Sequence, residues 1–251
     1  MLLRPFFSYY GGKYRAAPHY PAPKYPLIIE PFAGSAGYSV RHNVKQALLL
    51  DKNPIVAAVW RHLISTTPER VLSLPDVPLD GSVEHLPGLC QEERHLIGFW
   101  LNQATSHPSN KPSAWMRSGL HPYNFWGPRA RARIARQVDS IRTWRVIEGD
   151  YLKAPDIEAC WFIDPPYSCG VGTRGRADGD RYKHGSSKID FAKLADWCRG
   201  RKGQVIVCEQ AGASWLPFVP LGSFPATPTK QGEKRVSEVI WTNGTMQRSL
   251  F

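Results

Sequence analysis

The sequence predicts an α/β fold: a mostly parallel sheet, an antiparallel strand near the C-terminus, and a helical region inserted between strands. Three observations carry this. Short apolar runs recur, and each ends in polar residues: Leu27-Ile28-Ile29 before Glu30, Ala47-Leu48-Leu49-Leu50 before Asp51, Val146-Ile147 before Gly149-Asp150, Cys160-Trp161-Phe162-Ile163 before Asp164, and Val205-Ile206-Val207 before Cys208-Glu209. Continuous apolar runs of this length suit strands covered on both faces, as in parallel sheets. Glycine turns and helical patterns separate several of them, whereas residues 53–144 break the alternation.

Taken in order, Phe6, Phe7, Tyr9 and Tyr10 precede Gly11-Gly12-Lys13, a composition that lets backbone approach a ligand while rings pack beside it. After a proline-rich connector come the first strand, the turn Pro31-Phe32-Ala33-Gly34-Ser35-Ala36-Gly37 and a helix expected over 38–43. The interval 53–144 reads as inserted helices. Within it a helix from Arg129 should point Ile134, Val138 and Ile141 one way and Arg129, Arg133 and Arg136 elsewhere. Residues 190–199 form another helix, and 236–242 alternate partly at period two, which predicts an antiparallel edge strand. Residues 1–55 and 143–251 then form the sheet-bearing part, and 56–142 the insertion.

A chain of 251 residues buries roughly 70–75% of its unfolded surface as one domain with a large insertion. Five cysteines without a Cys-x-x-Cys pair suit a reducing cytoplasm and argue against structural zinc. The apolar start is too short for a signal peptide, and no apolar run reaches the length of a membrane span. A formal charge of +11 suits either a polyanionic partner or simple solubility.

The chemistry centres on Asp164-Pro165-Pro166-Tyr167. Neither proline has an N–H to donate, so the backbone after the strand is stiff and extended, with an acid and a ring on either side. A carboxylate, a fixed carbonyl and a flat ring can hold an aromatic amine. Asp51 lies seventeen positions past Gly34, a spacing at which an acid ending the second strand of a doubly wound sheet accepts bonds from ribose hydroxyls. The glycine turn is only half of the dinucleotide pattern, and no P-loop lysine follows it. A nucleoside without a long phosphate tail fits better. Glu30, Asp51, Asp150 and Asp164 would crowd one rim and favour a cationic ligand.

Residues 106–133 interleave His107, Asn110, Lys111, Trp115, Arg117, His121, Tyr123, Asn124, Phe125, Trp126, Arg129, Arg131 and Arg133. Amides and guanidiniums read base edges, rings stack, and cations hold phosphate. A phosphate-contacting face and a merely solvated basic face are equally weighted readings of the 129–136 helix. Residues 168–187, rich in Gly with Arg174, Arg176, Arg181, Lys183 and His184, read either as a basic flap over the site or as an ordinary loop.

In order and spacing, Tyr9-Tyr10-Gly11-Gly12-Lys13, Glu30-Pro31-Phe32-Ala33-Gly34, Asp51, Gly149-Asp150 and Asp164-Pro165-Pro166-Tyr167 resemble the Dam-type DNA adenine N6-methyltransferases. The resemblance covers nearly the whole chain and implies a Rossmann-like methyltransferase sheet with an inserted helical target-recognition region. Leu101-Asn102 and Tyr123-Asn124-Phe125 look like pieces of that insertion, and residues 238–243 look like the closing strand. Gln103 stands where the pattern has a basic residue, and Tyr9 where it has tryptophan. By resemblance, Tyr9, Tyr10, Gly11, Lys13, Glu30, Phe32, Ala33, Gly34, Asp51, Asp150 and Asp164 would bind S-adenosylmethionine, with Asp51 on the ribose and Asp150 near the adenine. Asn102, Lys111, Arg117, Asn124, Arg129, Arg131, Arg133, Arg174 and Arg176 would contact double-stranded DNA. No metal is implied. A cognate restriction endonuclease stays open as a partner, as does the choice between monomer and weak dimer.

The exocyclic nitrogen of adenine is a poor nucleophile because its lone pair is delocalised into the ring. Asp164 and the Pro165 carbonyl, accepting its two N–H bonds, would draw it toward an attacking shape, while Tyr167 stacks on a base swung out of the duplex. The rival readings are cytosine N4 methylation and a catalytically silent, cofactor-sensing DNA-binding module.

Overall fold

The computed structural model describes residues 2–120, 124–169, 182–225 and 235–244. Arg174 and Arg176, with His121, Tyr123 and Arg181, lie outside the described residues. Seven strands among the described residues form one mixed sheet: β1 (Leu27–Glu30), β2 (Gln46–Asp51), β3 (Arg145–Glu148), β4 (Ala159–Ile163), β5 (Gly203–Gln210), β6 (Val219–Pro225) and β7 (Arg235–Thr242). Their spatial order is β3-β2-β1-β4-β5-β7-β6. Strands β1 to β5 run parallel. β7 runs antiparallel to β5, and β6 antiparallel to β7.

The parallel strands explain themselves by side-chain alternation. On one face Ile28, Leu49, Phe162 and Ile206 join a single apolar cluster. On the other, Ile29, Leu48, Leu50, Trp161, Ile163, Val205 and Val207 join a second. Successive side chains of a strand point to opposite faces, so a run that is apolar throughout needs cover on both sides. α7 (Phe191–Arg199) covers the second face with Leu194, Ala195 and Cys198. Its first turn is capped by Asp190, whose side chain accepts from Lys193 N at 3.1 Å.

The first face is covered by α1 (Gly37–Arg41) and by helices that lie between β2 and β3. These are α2 (Pro54–Ser65), α3 (Pro68–Ser73), α4 (Gln91–Leu101), α5 (Ala114–Arg117) and α6 (Pro128–Ala135). Asn53 starts α2 by accepting from Ile55 N at 3.2 Å, with Pro54 at a position whose N–H has no helical partner. Trp60 and Leu63 of α2, Leu96 and Phe99 of α4, and Ala130 and Ile134 of α6 belong to the same cluster as Ile28 and Phe162. The helices between β2 and β3 therefore share a core with the sheet.

Three expectations are corrected. The 236–242 strand is not an edge, because β6 lies outside it. Pro220 and Pro225 hid β6, and both suit an edge strand, where a missing N–H breaks no inner ladder. β5 runs on through Cys208, Glu209 and Gln210, because β7 pairs with those residues. The basic helix stops at Ala135 and the chain resumes as a 3-10 turn, Val138–Ile141, although Ile134, Val138 and Ile141 are all buried as expected. Among the described residues no helix is long and apolar enough to cross a membrane.

Candidate functional site

The chain runs outward from β1 to β2 and β3, then returns to place β4 on the other side of β1. Such a reversal opens a crevice at the carboxyl ends of the strands, where open α/β sheets bind ligands. A cavity of about 240 Å³ lies there, far beyond the ~30 Å³ share of one water. Tyr9, Tyr10, Gly11, Lys13, Glu30, Phe32, Ala33, Gly34, Asp51, Asp150 and Asp164 all line it. Of the residues around the strand exit, Pro166 also lines it, whereas the buried Pro165 and the half-buried Tyr167 do not.

The glycine turn after β1 is shaped by contacts that no side chain would allow. Gly34 has φ +47°, and a Cβ there would stand 3.0 Å from the Tyr9 ring. Its N–H donates to Asp51 Oδ2 at 2.9 Å, while Asn53 N donates to Asp51 Oδ1 at 2.8 Å. Trp60 Nε1 holds the Gly34 carbonyl at 2.8 Å. Gly11 has φ +72°, and a Cβ there would run into the Tyr182 hydroxyl. The cavity wall is thus fixed from below by β2 and α2 and from the side by the amino-terminal segment. That segment is anchored through Tyr10 N to Thr105 O at 3.1 Å and Ala104 N to Ser8 Oγ at 3.0 Å.

Lys13 and Asp164 meet inside. Lys13 Nζ lies 2.9 Å from Asp164 Oδ1 and 3.0 Å from Oδ2, but the hydrogen bond goes to Oδ2. Oδ1 is buried and accepts no hydrogen bond. Lys13 also donates to Gly11 O at 2.9 Å and lies 4.8 Å from the centre of the Tyr167 ring. Burial alone would lower the Lys13 pKa, but Asp164 and Glu238 outweigh it and hold the ammonium above its ordinary range. Asp164 is pushed up to about 6, by burial first and by Glu238 and Glu209 next, against the pull of Lys13.

The four acids expected on one rim do share the cavity, but they do not act alike. Burial pushes Glu30 up to about 8, so it is mostly protonated at neutral pH while it accepts from Ser39 N at 2.8 Å. Asp150 pairs with Lys52 at 3.2 Å and caps the turn Tyr151–Lys153 through Leu152 N at 3.3 Å. Burial raises Asp51 to about 6, against the two backbone bonds it accepts. Of these four, Asp51 and Asp164 are the ones whose carboxyls are raised to about 6, and Asp190, the cap of α7, lines the wall as well. Lys52, Lys183, His184 and Lys188 line another part of the wall, so the rim is mixed in charge rather than acidic throughout.

Of the residues expected on DNA, the described ones do not line this cavity. Asn102 is half-buried at the end of α4, and its carbonyl accepts from Thr105 Oγ1 at 3.5 Å. Lys111, Arg117, Asn124 and Arg129 are exposed. Arg117 reaches the Pro112 carbonyl, and Gln103 holds the Asn124 carbonyl. Arg131 is taken by Asp76 and stands 5.9 Å from the Trp126 ring centre. Arg133 lies 4.7 Å over Trp100, with Nε and Nη2 buried and without hydrogen-bond partners, and burial lowers its pKa. Arg129, Arg133 and Arg136 line a recess on α6.

One further group has ligand atoms within 4.8 Å of one another: His62, Cys90 and Glu93. Both Glu93 oxygens are already held by Arg70, at 2.6 and 2.7 Å, and Oε2 also by Cys90 N at 3.0 Å. This carboxylate serves the start of α4.

Several residues escaped the sequence reading. Glu238 Oε2 accepts from the Tyr167 hydroxyl at 2.9 Å and from the Tyr20 hydroxyl. Glu209 accepts from Ser168 N at 2.8 Å and Trp215 Nε1 at 2.9 Å. A signal for Glu238 existed: it stands two residues before Ile240 on a strand and so shares the inward face. Tyr182, which donates to Tyr10 O at 3.2 Å, carried no such signal. Set against known proteins, the chain matches no family model and no curated sequence.

Proposed function

We propose that this protein transfers a methyl group from S-adenosylmethionine to the exocyclic N6 of an adenine extruded from double-stranded DNA. The observation that carries the reading is the Asp164 carboxylate: it lines a cavity at the sheet's switch point, and its buried Oδ1, though 2.9 Å from the Lys13 ammonium, accepts no hydrogen bond. Lys13 balances its charge, and a carboxylate oxygen without a hydrogen bond at a ligand crevice has lone pairs left for a donor. An amine N–H is such a donor.

The residues fit the cofactor. The turn at Gly34 brings bare backbone to the cavity wall, Asp51 offers its remaining lone pairs to ribose hydroxyls, and Phe32 and Tyr9 supply rings. When bound, the cofactor supplies a methyl group on a positively charged sulfur. Asp164 holds the target nitrogen through one N–H and is placed to take the proton that the nitrogen gives up, a role suited to a carboxyl raised to about 6. Lys13 fixes the orientation of that carboxylate through Oδ2. Holding two reactants in line supplies much of the acceleration in a direct displacement, so no metal and no covalent enzyme intermediate is needed.

The test is incubation of plasmid DNA with tritiated cofactor, digestion to nucleosides and identification of the labelled base. N6-methyl-2′-deoxyadenosine supports the reading. Label on cytosine N4 replaces it with the sister reaction, and no transfer with intact cofactor binding leaves a sensing module.

A further inference from the structure

Two buried carboxylates outside the cavity grip the residues that follow the Asp164-Pro165-Pro166 turn. Glu238, on β7, takes the Tyr167 hydroxyl at 2.9 Å and the Tyr20 hydroxyl with the same oxygen. Glu209, on β5, takes the Ser168 N–H at 2.8 Å. Both are at most 9% exposed. An acid placed inside a strand is costly unless it is hydrogen-bonded, and here each of the two acids spends one of its bonds on the same short loop. β5 and β7 pair antiparallel with Glu209 opposite Val239 and Gln210 opposite Glu238, so the two carboxylates reach the loop from opposite faces of the sheet.

The prolines stiffen the turn along its backbone but leave the Tyr167 ring free about its side-chain torsions. The bond to Glu238 removes that freedom. It holds the ring at the spot where Lys13 Nζ stands 4.8 Å from its centre, and Lys13 in turn holds Asp164. A linked set results: Glu238, Tyr167, Lys13 and Asp164.

We propose that Glu238 is a positioning residue for the transfer reaction, setting the Tyr167 ring beside Asp164 through the phenol hydroxyl. This rests on the methyl-transfer reading above. Glu238 touches neither reacting atom; it acts through Tyr167, and Tyr20 is the second phenol that keeps its oxygen in place.

The experiment is a double-mutant cycle in the full-length protein, with kcat and KM measured for Glu238→Ala, Tyr167→Phe and the double variant, and Glu238→Gln as the conservative control. Each single change should lower kcat about 10- to 100-fold, as small misplacements do. KM for the cofactor should stay within about twofold, because Glu238 does not line the cavity. The double variant should be no worse than the weaker single, and Gln, which keeps an acceptor oxygen, should restore most of the rate. Losses that multiply in the double variant, or an unchanged kcat in Glu238→Ala, overturn the positioning role while active wild type leaves the methyl-transfer reading intact. Wild type that transfers no methyl group overturns both. Should Glu238→Ala fail to fold, Tyr167→Phe against Glu238→Gln decides: a full-rate Phe variant overturns the proposal.

Discussion

Lys13 and Asp164 lie 151 positions apart and meet as a buried ion pair, Nζ to Oδ1 at 2.9 Å, at the point where the sheet changes direction. The pair separates two jobs that one carboxylate could confuse. Lys13 faces both oxygens and hydrogen-bonds Oδ2, which leaves Oδ1 charge-paired but with lone pairs that accept no hydrogen bond. Asp164→Ala should therefore lower methyl transfer by on the order of 100-fold or more, as loss of one transition-state partner does. It should also leave a buried ammonium that costs about 3 to 5 kcal/mol. Adding Lys13→Met removes that charge and should recover most of the melting temperature with none of the rate. A double variant that regains activity would show that Asp164 is structural.

The same carboxyl sets a pH threshold. Asp164 and Asp51 are both raised to about 6, so both accept hydrogen bonds as anions only above that value. The rate at saturating substrate should fall on the acid side of about pH 6. A profile flat down to pH 5 would remove both carboxylates from the mechanism.

Stability should move the opposite way. Glu30 goes from an ordinary 4.5 to about 8 in the folded protein, so between those values the folded state binds more protons than the unfolded one. Stability then declines as pH climbs through that window and levels off above it. Glu30→Gln keeps an acceptor for Ser39 N and cannot ionise. Its melting temperature should match wild type near pH 5 and exceed it by several degrees near pH 8.5. Equal pH dependence in the two proteins would mean that Glu30 is ionised when buried.

What the sequence disclosed and what it withheld have a common physical cause. β1, β2 and β4 are legible because a strand covered on both faces must be apolar at nearly every position, whereas the edge strand β3 shows only Val146 and Ile147 before its stop at Glu148 and Gly149. The cavity residues are legible for a related reason, since the carboxyl ends of those strands have to converge. β6 was illegible because Pro220, Gly222 and Pro225 are tolerated only at an edge, and edge position is a property of the finished sheet. The grip on Tyr167 was illegible because it depends on β7 lying beside β5, and the grip on Ser168 because β5 runs on to Glu209 only where β7 pairs with it. The mixed rim charge was misjudged because burial, which neutralises Glu30, cannot be seen in a count of acids.

Trp60 ties the core to the cavity. It is fully buried against Phe6, Phe7 and Trp144, and its Nε1 holds the Gly34 carbonyl at 2.8 Å. Trp60→Phe removes both volume and that bond, for a loss of about 2 to 3 kcal/mol. Because the Gly34 turn loses its support, cofactor KM should rise more than kcat falls. A variant that is destabilised with unchanged KM would confine Trp60 to the core.

The basic surface gives a graded expectation rather than a uniform one. Arg131 pairs with Asp76 and lies beside Trp126, Arg133 is half-sunk on Trp100, and Arg129 is exposed at the start of α6. A guanidinium that neutralises a phosphate contributes close to one unit to the slope of log affinity against log salt. Arg129→Ala should therefore reduce that slope by about one in a DNA-binding titration. Arg131→Ala should change the slope little and lower the melting temperature instead, because what it loses is an internal pair. Equal slopes for Arg129→Ala and wild type would return this face of α6 to solvent, and a reduced slope for Arg131→Ala would mean that DNA displaces Asp76.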